Sequence, residues 1–164
     1  QPACRERQDP FAHGIPLGAQ ANPDCFKVMM IDVPLSQTLL GLTSEQWIFE
    51  TEMAFINKGA IAENYVGQEL LAYGNPREKN QLYYWRRNSR GSEAEVDYII
   101  AQEAKPIPVE VKSGRGSTLK SMHSFLSEHE ASPYGIRFST QNYSRYEKII
   151  SYPLYAVMRL AITR

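Results

Sequence analysis

The stretch Ala94 to Gly114, AEVDYIIAQEAKPIPVEVKSG, reads as two neighbouring strands that bring Asp97, Glu110 and Lys112 together. From Pro108 to Lys112 the residues alternate. Successive strand side chains point to opposite faces, so Val109 and Val111 share one side while Glu110 and Lys112 share the other. One face feeds a core and the other carries charge. In Ala94 to Ile100 the same period puts Glu95, Asp97 and Ile99 on one face. Lys105-Pro106-Ile107-Pro108 separates the two runs, and its prolines predict a short turn followed by a strand that begins only after the second of them.

Two carboxylates and an ammonium at strand ends suit metal-assisted hydrolysis. A hard cation such as Mg²⁺, or Mn²⁺ in its place, binds through one or two carboxylates and leaves positions open for phosphate oxygens. Asp97 and Glu110 supply that count, and the carbonyl of Val111 adds a third oxygen. Lys112 is placed to orient an attacking water or to steady charge developing on a phosphate. Such a site needs no histidine or cysteine.

An aspartate in one strand, E-V-K in the next, and a preceding helix with GAIAEN at 59–64 together resemble the PD-(D/E)XK, or restriction-endonuclease-like, nuclease superfamily. The flanks HGIPLGA (13–19), FKVMMIDV (26–33), ENYVGQEL (63–70), YWRR (84–87) and YGIRFS (134–139) resemble the uncharacterised nuclease-like domain at the C-terminal end of many prokaryotic AAA-type ATPases. The resemblance covers nearly the whole chain. It implies an acidic pair at Asp97 and Glu110, a catalytic lysine at Lys112, and a helix glutamate at Glu63, with Glu69 the competing position. Glu63 and Glu69 are six residues apart, which at about 100° per residue sets them on different faces. Where the superfamily has a proline just before its aspartate, this chain has Glu95-Val96-Asp97.

With 164 residues and 43% hydrophobic content, the chain is long enough for one packed core. Its organisation reads as an N-terminal helical extension over 1–56 packed on a nuclease-like domain over 57–164. No internal repeat, membrane-length apolar run or signal-peptide pattern occurs, so the expected setting is the cytoplasm without membrane attachment. The opening QPACRERQDPFAHGIPLG reads as the middle of a longer polypeptide, and no G-x-x-x-x-G-K-[ST] loop is present. The implied AAA-type ATPase would therefore lie in sequence upstream. Cys4 and Cys25 form no disulfide framework, and with His13 they lack the spacing and fourth ligand of a zinc site.

Residues 1–25 read as surface chain, and Phe26 to Val33 as a buried strand or short helix ended by Pro34. Helices follow at Leu35 to Leu42 and Ser44 to Ile56, then at Ile61 to Tyr73, closed by Gly74-Asn75-Pro76. Gln81 to Arg87 is strand-like, Asn88 to Ser92 a turn, and the two charged strands come next. Ser117 reads as the N-cap of a helix to about Glu130, and Tyr134 to Thr140 as a strand. The predicted class is α/β, a restriction-endonuclease-like αβββαβ core with a mixed central sheet flanked by helices. A further strand at Ile149 to Tyr152 and a short helix after Pro153 complete the chain.

The formal net charge is zero, so attraction to a polyanion must be local. The candidates for nucleic-acid contact are Arg86, Arg87, Arg115 and Lys120, with Arg90 nearby, and the loop Ser113 to Ser117 offers backbone N–H groups to a phosphate. Tyr83, Tyr84 and Trp85 read either as base-stacking residues or as core, and His123 and His129 as surface residues of the following helix. Two functions follow: a Mg²⁺-dependent nuclease acting on DNA, or a non-catalytic recognition or regulatory module serving an AAA-type ATPase.

Overall fold

The structure, a computed structural model, describes residues 15–39, 41, 58–77, 80–89, 92–113 and 118–162. Helix α1 (Val33–Leu39) is followed by α2 (Lys58–Ala72), β1 (Tyr83–Ser89), β2 (Ser92–Gln102), β3 (Lys105–Lys112), α3 (Lys120–Glu128), β4 (Gly135–Ser139), β5 (Ser144–Tyr146), β6 (Ile149–Pro153) and a short α4 (Arg159–Ile162). From α2 to β4 the order is helix, three strands, helix, strand. The six strands form one mixed sheet in the order β1-β2-β3-β4-β6-β5. β3 runs parallel to β4 and β4 to β6, and the remaining pairs are antiparallel.

Helices cover both faces of this sheet. On α2, Ala62, Val66 and Leu70 recur every four residues and so share one stripe, which packs on Tyr98, Ile100, Ile107, Val109, Val111, Ile136 and Phe138. On the other face Phe125 of α3 meets Trp85, Ala94, Val96 and Ile99, and Met122 and Leu126 meet Ile149. β3 is thus central and buried on both sides, including Glu110, which is 3% exposed. Val109 and Val111 share the core face as the alternation predicts, and the charged face is enclosed as well, at Glu110.

The prolines sit differently from the sequence reading. β3 begins at Lys105, and Pro106 and Pro108 pair with Ala101 and Ile99 inside the ladder. This is tolerated because β4 does not reach them: its register on β3 starts only at Val109↔Ile136, leaving that side of β3 an edge where a missing N–H costs no ladder bond. Ser132 Oγ instead donates to the Pro106 carbonyl at 2.6 Å. The turn lies earlier, at Glu103 and Ala104, both with positive φ, the two-residue geometry whose twist matches a hairpin.

Phe26 to Val33 is neither a buried strand nor a helix. Residues 25–30 are irregular, and Phe26 and Ile31 are 72% and 85% exposed. Pro34 lies within the first turn of α1 rather than ending an element, and Asp32 caps that helix by accepting from the Leu35 N–H at 2.6 Å. The predicted helix at Ser44 to Ile56 and the N-cap at Ser117 lie outside the described residues. His129 is corrected from surface to core: 1% exposed, it stacks on Phe125 with centroids 4.0 Å apart and meets Trp85 edge-on. No helix among the described residues is long and apolar enough to cross a membrane.

Candidate active site

A bulge in β2 builds the site. Tyr83 pairs with Ile99 and Trp85 with Val96, so Asp97 and Tyr98 together stand opposite the single residue Tyr84. The extra residue shifts the alternation: Ala94, Val96 and Ile99 pack with Trp85 and Phe125, whereas Tyr98 and Ile100 pack with α2. Ile99 therefore does not share a face with Asp97, contrary to simple period-two reading. The β2–β3 ladder ends at Tyr98↔Val109. One step on, the Val111 N–H reaches toward a β2 backbone that has bulged away, and Asp97 Oδ2 accepts it at 2.7 Å. Within a strand the N–H and C=O of one residue point the same way, so the Val111 carbonyl faces this gap too.

Glu110 and Lys112 leave β3 on one face, and Lys112 Nζ lies 2.5 Å from Glu110 Oε1. Glu110 Oε2 is buried without a hydrogen-bond partner. Burial pushes the Glu110 carboxyl up, against the hydrogen bond and charge of Lys112. Asp97 is raised to about 7, first by burial and then by the charges of Glu110 and Glu63, with the Val111 N–H and Lys27 opposing. In both groups burial outweighs the cations beside them, Lys112 and Lys27.

Glu63 belongs to this cluster and Glu69 does not. Lys27 Nζ is 2.6 Å from Glu63 Oε1, 2.8 Å from Glu95 Oε1 and 3.7 Å from Asp97 Oδ1. Glu69 instead lies by Tyr73 and Tyr65, raising both hydroxyls, the first chiefly by a hydrogen bond and the second after burial. α2 approaches β2 closely here, because a Cβ on Gly67 would stand 2.5 Å from the Tyr98 hydroxyl. That hydroxyl donates to the Glu63 carbonyl at 2.8 Å and fixes the turn carrying Glu63.

Lys27 is the residue that sequence reasoning missed. Burial works against its charge, but hydrogen bonds to Glu63 and Glu95 and the charges of Glu63 and Asp97 outweigh it and raise its pKa. It also lies over the Tyr84 ring, 5.5 Å from the centroid. The available signal was a lone cation within the apolar run FKVMMIDV at 26–33.

Arg86 and Lys120 are exposed, whereas Arg87 is ion-paired with Glu128 and lies over the Trp85 ring. Arg115, Arg90 and the Gly114 to Ser117 loop lie outside the described residues. Trp85 is core, in T-shaped contact with Phe125 at 5.3 Å. Contrary to the expectation of no disulfide framework, Cys25 is disulfide-bonded, which removes its sulfur as a zinc ligand, and Cys4 and His13 lie outside the described residues.

The unpartnered buried oxygen of Glu110, the neighbouring Asp97 carboxyl and the inward Val111 carbonyl suit a hard ion that takes oxygen ligands and keeps waters. Among the described residues, no group of three or more His, Cys, Asp or Glu is arranged to hold a metal.

The fold and cluster define a mixed α/β domain with a carboxylate and lysine centre at a strand bulge. Residues 58–156 match the family described as a domain of unknown function, DUF4143, and the chain belongs to that family. No curated protein and no solved structure matches it.

Proposed function

We propose that the chain is a metal-dependent phosphodiesterase of the restriction-endonuclease-like type, acting on DNA and serving an AAA-type ATPase. The observation that carries this reading is the buried, unpartnered Glu110 Oε2 held beside Asp97 and Lys112. An isolated buried carboxylate oxygen is costly, and a cation ligand is a use that offsets the cost. The helix, three strands, helix, strand order from α2 to β4 supports the same reading.

Asp97, Glu110 and the Val111 carbonyl would hold Mg²⁺ or Mn²⁺, which when bound supplies Lewis-acid charge to a phosphate oxygen and lowers the pKa of water. Glu110 holds the Lys112 ammonium at the edge of the cluster, where it can donate to a phosphate oxygen or to the attacking water. Val111 fixes one Asp97 oxygen through its N–H, leaving Oδ1 turned toward Lys27 and the solvent side. Glu63 adds negative charge at the rim and helps position a water.

The alternative is a recognition or regulatory module that retains the fold. Its support is the engagement of Arg87 by Glu128 together with a net charge of zero, which leave little built attraction for a polyanion. Incubating the chain with Mn²⁺ and single-stranded, duplex or branched DNA separates the two. Cleavage lost in Asp97→Asn supports the nuclease; metal binding without cleavage of any substrate, alone or joined to the ATPase, supports the module.

A further inference from the structure

Residues 25–32 cross the site as a strap that precedes the family-matched residues 58–156. Two α2 side chains one turn apart grip its backbone at one residue: the Met30 N–H donates to Asn64 Oδ1 at 2.8 Å, and Gln68 Nε2 donates to the Met30 carbonyl at 2.9 Å. Lys27 points inward onto Glu63, Glu95 and Asp97. Its neighbours Phe26 and Val28 point outward and are strongly exposed. The strap is therefore held by these hydrogen bonds, the Lys27 ammonium and the half-buried Met29, whose sulfur lies against Gly67 of α2.

We propose that Lys27 is a built-in, displaceable counter-ion: its ammonium neutralises the carboxylate cluster when no divalent cation is bound, and loading the cation expels Lys27 and frees the strap. This deepens the metal-site reading of Asp97 and Glu110 and rests on it. A second cation beside Asp97 Oδ1 would be repelled by an ammonium already 3.7 Å away, so the two compete for the same negative charge. Whatever lifts the strap then raises metal affinity, and the upstream chain is connected to the site by this segment.

The test titrates Mn²⁺ into wild type, Lys27→Met and Lys27→Arg, with affinity read by electron paramagnetic resonance and no substrate present. Met keeps the aliphatic stem and removes the charge. Affinity should rise about tenfold or more in Lys27→Met, while Lys27→Arg stays near wild type. In wild type, Mn²⁺ should also accelerate hydrogen exchange of the Met30 amide as it leaves Asn64, a readout that decides the matter if the Met variant does not fold. Equal Mn²⁺ affinity in wild type and Lys27→Met, or Mn²⁺ binding that leaves Met30 exchange unchanged, overturns the counter-ion role while the metal site stands. Absence of Mn²⁺ binding in every form overturns both.

Discussion

The Val111 N–H donates to Asp97 Oδ2 at 2.7 Å where the β2–β3 ladder has just ended, so a side chain substitutes for the strand backbone that the bulge removed. This one bond fixes the Asp97 carboxylate beside β3. Losing it should leave Val111 with an unsatisfied donor as well as losing a ligand.

Asp97→Ala and Lys112→Ala are accordingly expected to differ. Both should reduce Mn²⁺-dependent DNA cleavage, Lys112→Ala by about 10²- to 10³-fold and Asp97→Ala by more, but only Asp97→Ala should weaken Mn²⁺ binding directly. Calorimetry on the two variants, alongside a cleavage assay, checks the split. Equal loss of metal affinity in both would place Lys112 wrongly.

The raised Asp97 pKa gives a pH signature. A carboxyl whose folded pKa exceeds its unfolded value contributes stability that is present in full below about 4 and lost as pH rises through about 7. Metal-free wild type should therefore lose stability relative to Asp97→Asn between pH 5 and 8, by a few kcal/mol at most. Denaturant melts of both proteins across that range measure the gap, and a gap that narrows with pH would contradict the assignment.

The same protonation would govern loading of the proposed metal. Cation ligation requires the charged carboxylate, so Mn²⁺ affinity should climb from pH 6 to 8 with release of about one proton per ion. Calorimetric titrations in buffers of different ionisation enthalpy count that proton. Affinity that does not vary with pH would mean Asp97 is not a ligand.

Glu63 and Glu69 are separated by their neighbours, the first by Lys27 and the second by Tyr73. Glu63→Gln should lower cleavage markedly, while Glu69→Gln should stay within about twofold of wild type, as a change away from the carboxylate cluster normally does. The reverse ranking in a turnover assay would move the helix contribution to Glu69.

Phe125→Ala tests the core apart from the site. Phe125 is fully buried between Trp85, Ile99 and His129, so its truncation should cost about 3–5 kcal/mol while leaving the Mn²⁺ affinity of the folded protein unchanged. A large fall in affinity would show that α3 shapes the centre directly.

How much of this was legible in the sequence differs residue by residue. The alternation around Glu110 and Lys112, and the order of elements from α2 to β4, follow from local period and turn chemistry, which a sequence displays. The bulge at Asp97 does not, because it arises from the register of β1 against β2, a tertiary choice. Pro106 and Pro108 misled for a related reason: whether a strand tolerates proline depends on which neighbour is missing, and β4 is short there. Lys27 carried only the faint mark of a lone cation in an apolar run, because the irregular segment that holds it is brought to the strands by Asn64 and Gln68. His129 looked solvent-facing at the end of a polar helix, yet aromatic packing buries it.

The central claim, that Asp97 and Glu110 share a divalent cation, is tested most directly by a crystal structure of the chain soaked in Mn²⁺ with anomalous data. The account predicts one peak between the two carboxylates, about 2.1 Å from an oxygen of each, with Lys112 beside it but not in contact. A peak elsewhere, or none at an occupancy that binding measurements require, would contradict it.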